Sequence, residues 1–386
     1  MKHSWIGPTL QIAAIFAFRM LGLFMLIPIF TLYAADLPDA SPALLGIALG
    51  GYGLTQGLLQ IPFGMLSDRF GRRPLIAIGL GLFAIGSLIG AQAHTISGMI
   101  LARVLQGGGA IGSVLIALLA DITHEHHRTK AMALIGAIIG LSFSIAFLLS
   151  PSLAAWTGLA GVFYFTAALA MIGLGILYTL PNPKIGSSQP TSTVKHIRQA
   201  LVDPKLLCLD AGIFFQHFIL VASFYALPII LQQYVQNGQL EQNWHFYIWV
   251  IPGSFIAMIP IMLYSEQRKK VKTIFLFAVA CTGFCQLAML CTSLSLFGLG
   301  FLLFGYFVAF NFLEANLPSL ISKQANPQAR GSALGVYSSS QFLGIFVGGS
   351  VAGILYSHTG ITGIFILNTV VAFIWLGITW NSKLRF

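Results

Sequence analysis

Charged side chains concentrate in one short stretch, residues 64–73, which reads GMLSDRFGRR. Only 8% of the chain is charged, yet this stretch contains Asp68, Arg69, Arg72 and Arg73. Guanidinium and carboxylate groups form charge-assisted hydrogen bonds, which are stronger than neutral ones. Gly64 and Gly71 let the backbone turn tightly beside them. The stretch therefore predicts a compact loop held by ion pairs. The simpler interpretation is that its arginines only fix the orientation of the protein in the membrane.

Five ionisable side chains lie inside long apolar segments: Arg19, Arg103, Asp210, His217 and Glu314. A charge within a membrane costs about 2.5–3.5 kcal/mol on insertion scales, so such residues usually have a task. Arg103 is either a structural hydrogen-bond hub or a charge that acts on a nearby acid or an anionic part of a substrate. Glu314 shares a helical face with Asn311, three residues earlier. Glu314 is the leading candidate for proton coupling, with a static ion pair or helix bridge as the alternative.

Asp210 and His217 are seven residues apart, two turns along one helical face. Asp210 lies near a predicted cytoplasmic end, where it could be solvated or structural. His217 lies deeper and titrates in the physiological pH range, although a satisfied core histidine is the simpler interpretation. The sequence leaves both pairs of alternatives open.

Other clusters do not predict chemistry. HEHH at 124–127 lacks the spacing of a defined metal site, and GGGAIG at 107–112 lacks the Lys and Ser/Thr of a phosphate loop. We interpret the glycine run as a packing surface inside one helix. The four cysteines fall within apolar segments and are interpreted as core residues. We expect no metal, no cofactor and no enzyme activity.

The elements that must position these residues are membrane-spanning helices. The 386 residues are 57% hydrophobic with a mean hydropathy of +0.86, and their apolar runs approach the roughly 20 residues that cross a bilayer. We expect the first run to be retained, because it is too long for a signal peptide and no cleavage site follows it. Twelve spans are predicted, at 9–34, 43–66, 74–93, 96–120, 131–154, 160–180, 206–235, 245–264, 271–292, 296–321, 331–356 and 362–380.

The basic residues support this count. With the amino terminus in the cytoplasm, every Lys and Arg except Arg19 and Arg103 falls on the cytoplasmic side, as the positive-inside rule requires. Both termini are therefore predicted to be cytoplasmic. The net charge of +10 then serves topology and contact with anionic lipid, and nucleic acid is not an expected partner.

One Pro/Ser-rich stretch divides the chain into similar halves. We predict an all-α protein with a six-helix bundle at 1–180, a cytoplasmic linker at 181–205 and a second six-helix bundle at 206–386. Two duplicated bundles favour a binding site between them at mid-membrane.

GMLSDRFGRRP, between spans 2 and 3, resembles the signature loop of the major facilitator superfamily. LGLFMLIPI (21–29) and RVLQGGGA (103–110) resemble motifs of its first and fourth helices. FNFLEANLPSLIS and GVYSSSQFLGIFVGGS further resemble the YajR-like branch of proton-linked drug transporters, without the carboxy-terminal soluble domain of that branch. The resemblance implies a pseudo-twofold major facilitator fold that works by alternating access.

The resemblance also implies a latch on the cytoplasmic side. Asp68 would face the start of span 11, near Gly331 and Ser332, where a helix amino terminus carries partial positive charge. Arg72 would contact Asp121, with Arg128 nearby. These contacts would tie the halves together on one side and reopen in each cycle.

Span 5 departs from the family's antiporter pattern. Gly140 and Pro151 are present, but Ser150 and two alanines replace glycines. Small residues still allow close packing, yet the change keeps import open. Span 1 carries Arg19 where drug antiporters commonly have an acid, so proton coupling through a carboxylate there is not available.

The expected function is outward transport of a small amphipathic or hydrophobic compound, driven by inward proton flow, in a bacterial inner membrane. Alternatives are a specific metabolite or siderophore exporter, a proton-symport importer and, remotely, a non-transporting sensor or scaffold. The expected partners are a small-molecule substrate, protons and the lipid bilayer, and the protein is expected to be a monomer. The predicted cavity residues are Phe18, Met25, Phe214, Tyr225 and Phe310, together with Asn311.

Overall fold

The computed structural model describes residues 6–123, 125–181, 190–291, 295–326, 329–382 and 384. Within these residues the regular secondary structure is helical throughout. The first helices in chain order are α1 (Ile6–Phe24), α2 (Phe30–Tyr33), α3 (Pro42–Phe70), α4 (Arg72–Ala91), α5 (Ile96–Gly108), α6 (Gly112–Ile122) and α7 (Glu125–Thr179). They are followed by α8 (Pro190–Ala200), α9 (Pro204–Gln236), α10 (Asn243–Gln267), α11 (Val271–Ala288), α12 (Leu296–Gln324) and α13 (Arg330–Asn381).

The chain forms two compact units. Unit 1 comprises Met1–Ala40 and Ala48–Thr193, and unit 2 comprises Ser41–Ile47 and Val194–Phe386. The division after Thr193 falls inside the stretch predicted as a linker, 181–205. The described part of that stretch contains the short helix α8.

Among the described residues, ten helical segments are long and apolar enough to cross a membrane. Two of them, Lys130–Thr179 and Arg330–Asn381, have 50 and 52 residues, more than twice the roughly 20 that a span needs. Each is interrupted by one glycine with positive φ: Gly158 (φ 67°, ψ −174°) and Gly360 (φ 64°, ψ −156°). These glycines lie where the sequence predicts turns between spans 5 and 6 and between spans 11 and 12. The ten segments therefore agree with twelve predicted spans.

Two spans predicted as continuous are interrupted. In span 1, α1 ends at Phe24 and α2 starts at Phe30, and the intervening turn contains Pro28, which has no backbone N–H to donate. In span 4, α5 ends at Gly108 and α6 starts at Gly112. Glycine has low helix propensity, and Gly109 packs directly on the backbone of Gly79. The glycine run is therefore both a packing surface and a helix break.

Small residues bring the helices of each unit close together. In unit 1, α1 and α4 pack against α7, and α4 also packs against α5. In unit 2, α13 packs along α9, where a Cβ at Gly344 would lie 3.1 Å from the Phe214 Cα. Close backbone approach of this kind is the main way that helices associate in lipid. It fixes the polar side chains described next at defined positions.

Candidate functional site

The charged stretch at 64–73, predicted as a loop, is helical except at Gly71, because α3 runs to Phe70 and α4 begins at Arg72. Gly71 alone makes the turn, and its φ of 96° and ψ of 155° favour glycine. We keep the name charged loop for residues 64–73. Arg72 is the centre of the loop. Its Nε donates to Asp121 Oδ2 at 3.0 Å, and one terminal nitrogen donates to Ser67 Oγ at 2.7 Å and to Asp68. One guanidinium thus joins the end of α3 to the end of α6 within unit 1.

Arg73 joins the same loop to the end of α7. Its NH2 donates to the carbonyl oxygens of Tyr178 at 2.5 Å and Leu180 at 3.1 Å, and its guanidinium carbon lies 5.2 Å from the Tyr178 ring. Carbonyls at a helix end lack intrahelical donors and carry partial negative charge, so a cation there is favourable. Arg69 instead lies 5.3 Å from the ring of Phe70.

Several predicted loop residues thus come together. Arg72 reaches Asp121 as expected, but both residues belong to unit 1, so this pair does not join the two halves as predicted. Gly64 lies beside Ser113, whose Oγ would be 3.4 Å from a Cβ at that position. The side chain of Arg128 lies outside the described part of the chain. The contact expected between Asp68 and the start of span 11 joins residues of the two units, and it stays a prediction.

Two arginines are buried inside unit 1. Arg19 on α1 and Arg103 on α5 are each 1% exposed. One nitrogen of Arg19 donates to Gln56 Oε1, and the Gln56 amide donates to Gln60 Oε1 at 2.8 Å. Arg19 is therefore held by a chain of neutral amides on α3.

Arg103 has more protein partners than Arg19. Its guanidinium donates to Gln106 Oε1 at 2.8 Å and to the Leu49 carbonyl at 3.4 Å, and Gln106 donates onward to Ser87 at 2.8 Å. The Tyr52 ring lies between the two arginines, with its centroid 5.2 Å from the Arg103 guanidinium carbon and 6.0 Å from that of Arg19. These contacts suit a structural hub, which was one of the two interpretations of Arg103.

The span 5 motif also makes a local contact. Ser150, which stands where the family pattern has glycine, donates its hydroxyl to the carbonyl of Met25 in the turn between α1 and α2. Pro151 lies inside α7, and the Gly140 carbonyl accepts from Ser144 at 3.4 Å. The serine therefore ties α7 to the interrupted first span.

Unit 2 contains a polar cluster around Glu314 on α12. Gln216 Nε2 on α9 donates to Glu314 Oε2 at 3.0 Å, and Gln341 Nε2 on α13 donates to Glu314 Oε1 at 3.3 Å. His217 Nε2 lies 3.9 Å from Glu314 Oε2. The Glu314 side chain is 35% exposed, whereas that of His217 is 1% exposed. We name Glu314, His217, Gln216 and Gln341 the carboxylate cluster.

The amide of Gln341 connects the two titratable groups. Its Nε2 lies 2.9 Å from His217 Nε2, while His217 Nδ1 lies 3.3 Å from the Ile213 carbonyl. An amide nitrogen and a carbonyl oxygen fix the roles: Nδ1 carries the proton, and Nε2 accepts from Gln341. The structure thus shows a histidine arranged as the neutral ring beside a carboxylate.

Sequence reasoning identified Glu314 and His217 separately but not their partnership. Gln216 and Gln341 were not predicted at all. Uncharged amides in an apolar segment are a weak signal, although Gln216 immediately precedes His217 in the sequence. Asn311, expected to act beside Glu314, donates instead to Ser254 on α10 at 3.3 Å.

Asp210 is buried, with 5% exposure, which excludes the solvated alternative and leaves the structural one. Neither of its carboxylate oxygens has a hydrogen-bond partner in the part of the chain that the structure describes. The Tyr337 hydroxyl on α13 is likewise unpartnered there. Asp210 is therefore a buried acid whose carboxylate is unpaired among the described residues.

The residues predicted to line a cavity differ in exposure. Met25, Tyr225 and Phe310 are buried, whereas Phe18 and Phe214 are partly exposed. The Phe310 ring packs on His217, with centroids 5.8 Å apart. Their contact with a substrate stays a prediction. Among the described residues no group of three or more His, Cys, Asp or Glu side chains is placed to hold a metal ion; His124 lies outside them.

Comparison with known proteins decides the family. The family model of the Major Facilitator Superfamily matches residues 12–313 and 209–382. The chain belongs to this superfamily. The major facilitator chain is 40% identical to the inner membrane transport protein YajR of Escherichia coli (strain K12) over 97% of its own length and 83% of that relative. It is 23% identical to the quinolone resistance protein NorA of Staphylococcus aureus (strain MSSA476), over 87% and 86% of the two chains.

Solved structures agree on the fold of this major facilitator protein. The D-xylose-proton symporter superposes with a TM-score of 0.75 at 17% identity and covers 98% of both chains. The nucleoside transporter NupG superposes with a TM-score of 0.74 at 16% identity, over 97% and 98% of the two chains. The protein is an integral membrane transporter of the secondary type, not an enzyme.

Proposed function

We propose that the protein couples proton entry to export of a small amphipathic compound by alternating access. The observation that carries the proposal is the carboxylate cluster. It combines two titratable side chains, Glu314 and His217, 3.9 Å apart, with amides that hold them in place.

Glu314 is the proposed proton carrier. Its side chain is partly exposed, so a proton can reach it, while two amide donors compensate its ionised form. His217 lies 3.9 Å away and is positioned to take a charge when Gln341 turns aside. Protonation would rearrange the present hydrogen bonds, because one carboxyl oxygen becomes an O–H donor and mainly the carbonyl oxygen continues to accept from an amide. A change of bonding partners is what links proton binding to a change of conformation.

The loop at 64–73 is the proposed gate. Within unit 1, Arg72 already holds Asp68 and Asp121. Exposed and half-buried ion pairs of this kind are worth roughly 0–1 kcal/mol each, which suits contacts that must exchange partners in every cycle.

Export of an amphipathic compound is proposed because the relative NorA is named for quinolone resistance and because the chain is rich in aromatic side chains. Import by proton symport is the second candidate. It is favoured by Ser150, which replaces a glycine of the antiporter pattern and is engaged by the Met25 carbonyl.

Flux in proteoliposomes tests the proposal. Purified protein is reconstituted, and uptake of a quinolone and of a panel of amphipathic compounds is followed under an imposed pH gradient. An acidic interior should drive uptake if the protein is an antiporter, and an acidic exterior should drive it if the protein is a symporter.

Replacing Glu314 by Gln should abolish gradient-driven uptake, because the amide cannot carry a proton. Exchange of labelled for unlabelled compound without a gradient should survive in this variant. Glu266→Gln, at the exposed end of α10, is the matched control and should transport normally. Gradient-driven uptake by Glu314→Gln at the normal rate would show that the proton is carried elsewhere.

A further inference from the structure

Unit 1 has buried positive charge without matching negative charge. Its five acidic residues all lie at helix ends or in connections: Asp36, Asp39, Asp68, Asp121 and Glu125. Arg19 and Arg103 are 1% exposed, and neither forms an ion pair with any described residue. A buried charge without a counter-charge is strongly destabilising. An anion from outside the chain would supply the missing charge.

Arg19 has the free donors for such an anion. Its Nε and NH1 are buried and have no hydrogen-bond partner among the described groups, whereas only Nε is unpartnered in Arg103. Buried guanidinium nitrogens are normally satisfied. Because Arg103 is largely occupied by Gln106 and Leu49, Arg19 is the side chain with unused binding capacity.

The interruption of span 4 provides a second positive element. At Gly112 the helix α6 begins, and its N-cap Ile111 provides no side-chain hydrogen bond to the first N–H groups. A helix start carries about half a positive charge and binds anions. The Cβ position of Gly112 lies 3.6 Å from Arg19 NH1 and 3.1 Å from Gln60 Nε2. Arg19 therefore points its unpartnered nitrogen at the start of α6.

Gln60 completes the donor set. Its Oε1 is occupied by the Gln56 amide, which leaves Nε2 as the atom nearer to Gly112, at 3.1 Å against 3.7 Å for Oε1. The side-chain atoms that carry hydrogen at this point are Arg19 NH1 and Gln60 Nε2. Two side-chain donors and a helix start match a small monovalent anion.

We propose that Arg19, Gln60 and the start of α6 form an anion-binding site, which we name the α6 anion site. Its ligand is a monovalent anion of carboxylate or halide size. The anion is either the carboxylate of the transported compound or a free chloride ion. In the carboxylate form the inference rests on the proposed function and makes the substrate class an amphipathic carboxylic acid.

Thermal unfolding of the purified full-length protein in detergent tests the site. Chloride or acetate is titrated against isethionate at constant ionic strength, and the midpoint of unfolding is measured. A ligand that binds the folded state raises the midpoint in a saturable manner. Arg198→Gln is the matched control, because it removes an exposed arginine on α8, and it should show the same saturable rise. No anion-dependent shift in the unmodified protein would overturn the proposal.

Two variants locate the site. Arg19→Gln removes the charge, and Gly112→Ala places a methyl group between Gln60 and Arg19 while keeping every charge. Both should weaken apparent anion affinity by about tenfold or more. Arg19→Gln loses a charge-assisted hydrogen bond, and Gly112→Ala fills the space between the two donors. If Arg19→Gln fails to fold, Gly112→Ala alone decides. Unchanged anion affinity in Gly112→Ala would overturn the α6 anion site.

A third comparison separates the two sources. In chloride-free buffer, a quinolone and its carboxamide analogue are compared at equal concentration. If the transported compound supplies the anion, only the carboxylate form stabilises the protein, and chloride competes with it. If chloride is a resident ion, chloride stabilises the protein and the quinolone does not compete. Anion binding requires no proton gradient. The stabilisation measurement therefore tests the α6 anion site even if the flux assay shows no proton coupling.

Discussion

Gln341 is the residue on which the arrangement of the carboxylate cluster depends. Its single amide nitrogen faces both Glu314 Oε1, at 3.3 Å, and His217 Nε2, at 2.9 Å. An amide nitrogen has two hydrogens, so it can donate to both groups while His217 is neutral. Protonation of His217 removes the Nε2 acceptor, and protonation of Glu314 at Oε1 turns that oxygen into an O–H donor and weakens it as an acceptor. Gln341 therefore senses the protonation of both groups.

We expect Gln341→Leu to change the pH at which gradient-driven transport is half-maximal, because leucine is of similar size and cannot donate to either partner. Gln233→Leu, at an exposed position near the end of α9, should leave that pH unchanged. The measurement is initial uptake rate in proteoliposomes over a series of pH values. Identical pH profiles for the two variants would contradict a role of Gln341 in proton exchange.

At this scale the sequence predicted individual residues better than their partners. Glu314 and His217 were evident because charge in a span is costly. Their contact was not, because α9 and α12 are far apart in the chain and the link is a neutral amide on α13. Asp210 was similarly recognised but not its burial, which depends on packing against residues that no local pattern specifies.

At the scale of elements, two glycines reverse the chain. Gly158 and Gly360 occupy a region of φ and ψ that is essentially restricted to glycine. A Cβ at either position would meet nothing within 4 Å. The requirement for glycine is therefore a matter of backbone conformation and not of packing.

We expect Gly158→Ala and Gly360→Ala each to lower the free energy of unfolding by about 1–3 kcal/mol, the usual cost of a residue held in this region. Gly175→Ala and Gly377→Ala are matched controls, because a Cβ there also meets nothing and φ is not positive. The controls should be neutral or slightly stabilising, since alanine favours helices. Unfolding in detergent mixtures measures the difference, and equal stability of all four variants would contradict the assignment.

The number of spans was predictable, whereas the interruptions of spans 1 and 4 were not. Hydropathy records the apolar character of a segment, and this character does not change where a helix breaks. The break at Gly109 is set by the approach of Gly79 on α4, a contact between segments. The glycine run is evident in the sequence. A run that only allows close packing and a run that also breaks the helix have the same composition, so the sequence does not distinguish them.

At the scale of the whole molecule, the positive-inside distribution predicts that both termini lie in the cytoplasm. Reporter domains that are active on one side of the membrane only, fused to either end, should give the cytoplasmic result in both cases. Opposite results for the two ends would require an odd number of spans and would contradict the predicted count of twelve.

The proposed gate belongs to the scale of the whole molecule, because its predicted contact, between Asp68 and the start of span 11, joins residues of the two units. We expect Asp68→Asn to reduce transport by at least about tenfold. Membrane abundance should stay normal, because Arg72 retains its contact with Asp121. Asp36→Asn, in the exposed connection before α3, is the control and should transport normally. Transport at the full rate by Asp68→Asn would leave the loop with a topological role only.

The bonds of Arg73 to the end of α7 restrict how this chain can evolve. Its acceptors are main-chain carbonyls of Leu177, Tyr178 and Leu180, so replacements of those side chains by drift would leave the bonds in place. An insertion or deletion shortly before Leu177 would rotate the carbonyls away by about 100° per residue. Among descendants of this gene, residue identity at the end of α7 should therefore vary more freely than the number of residues that precedes it.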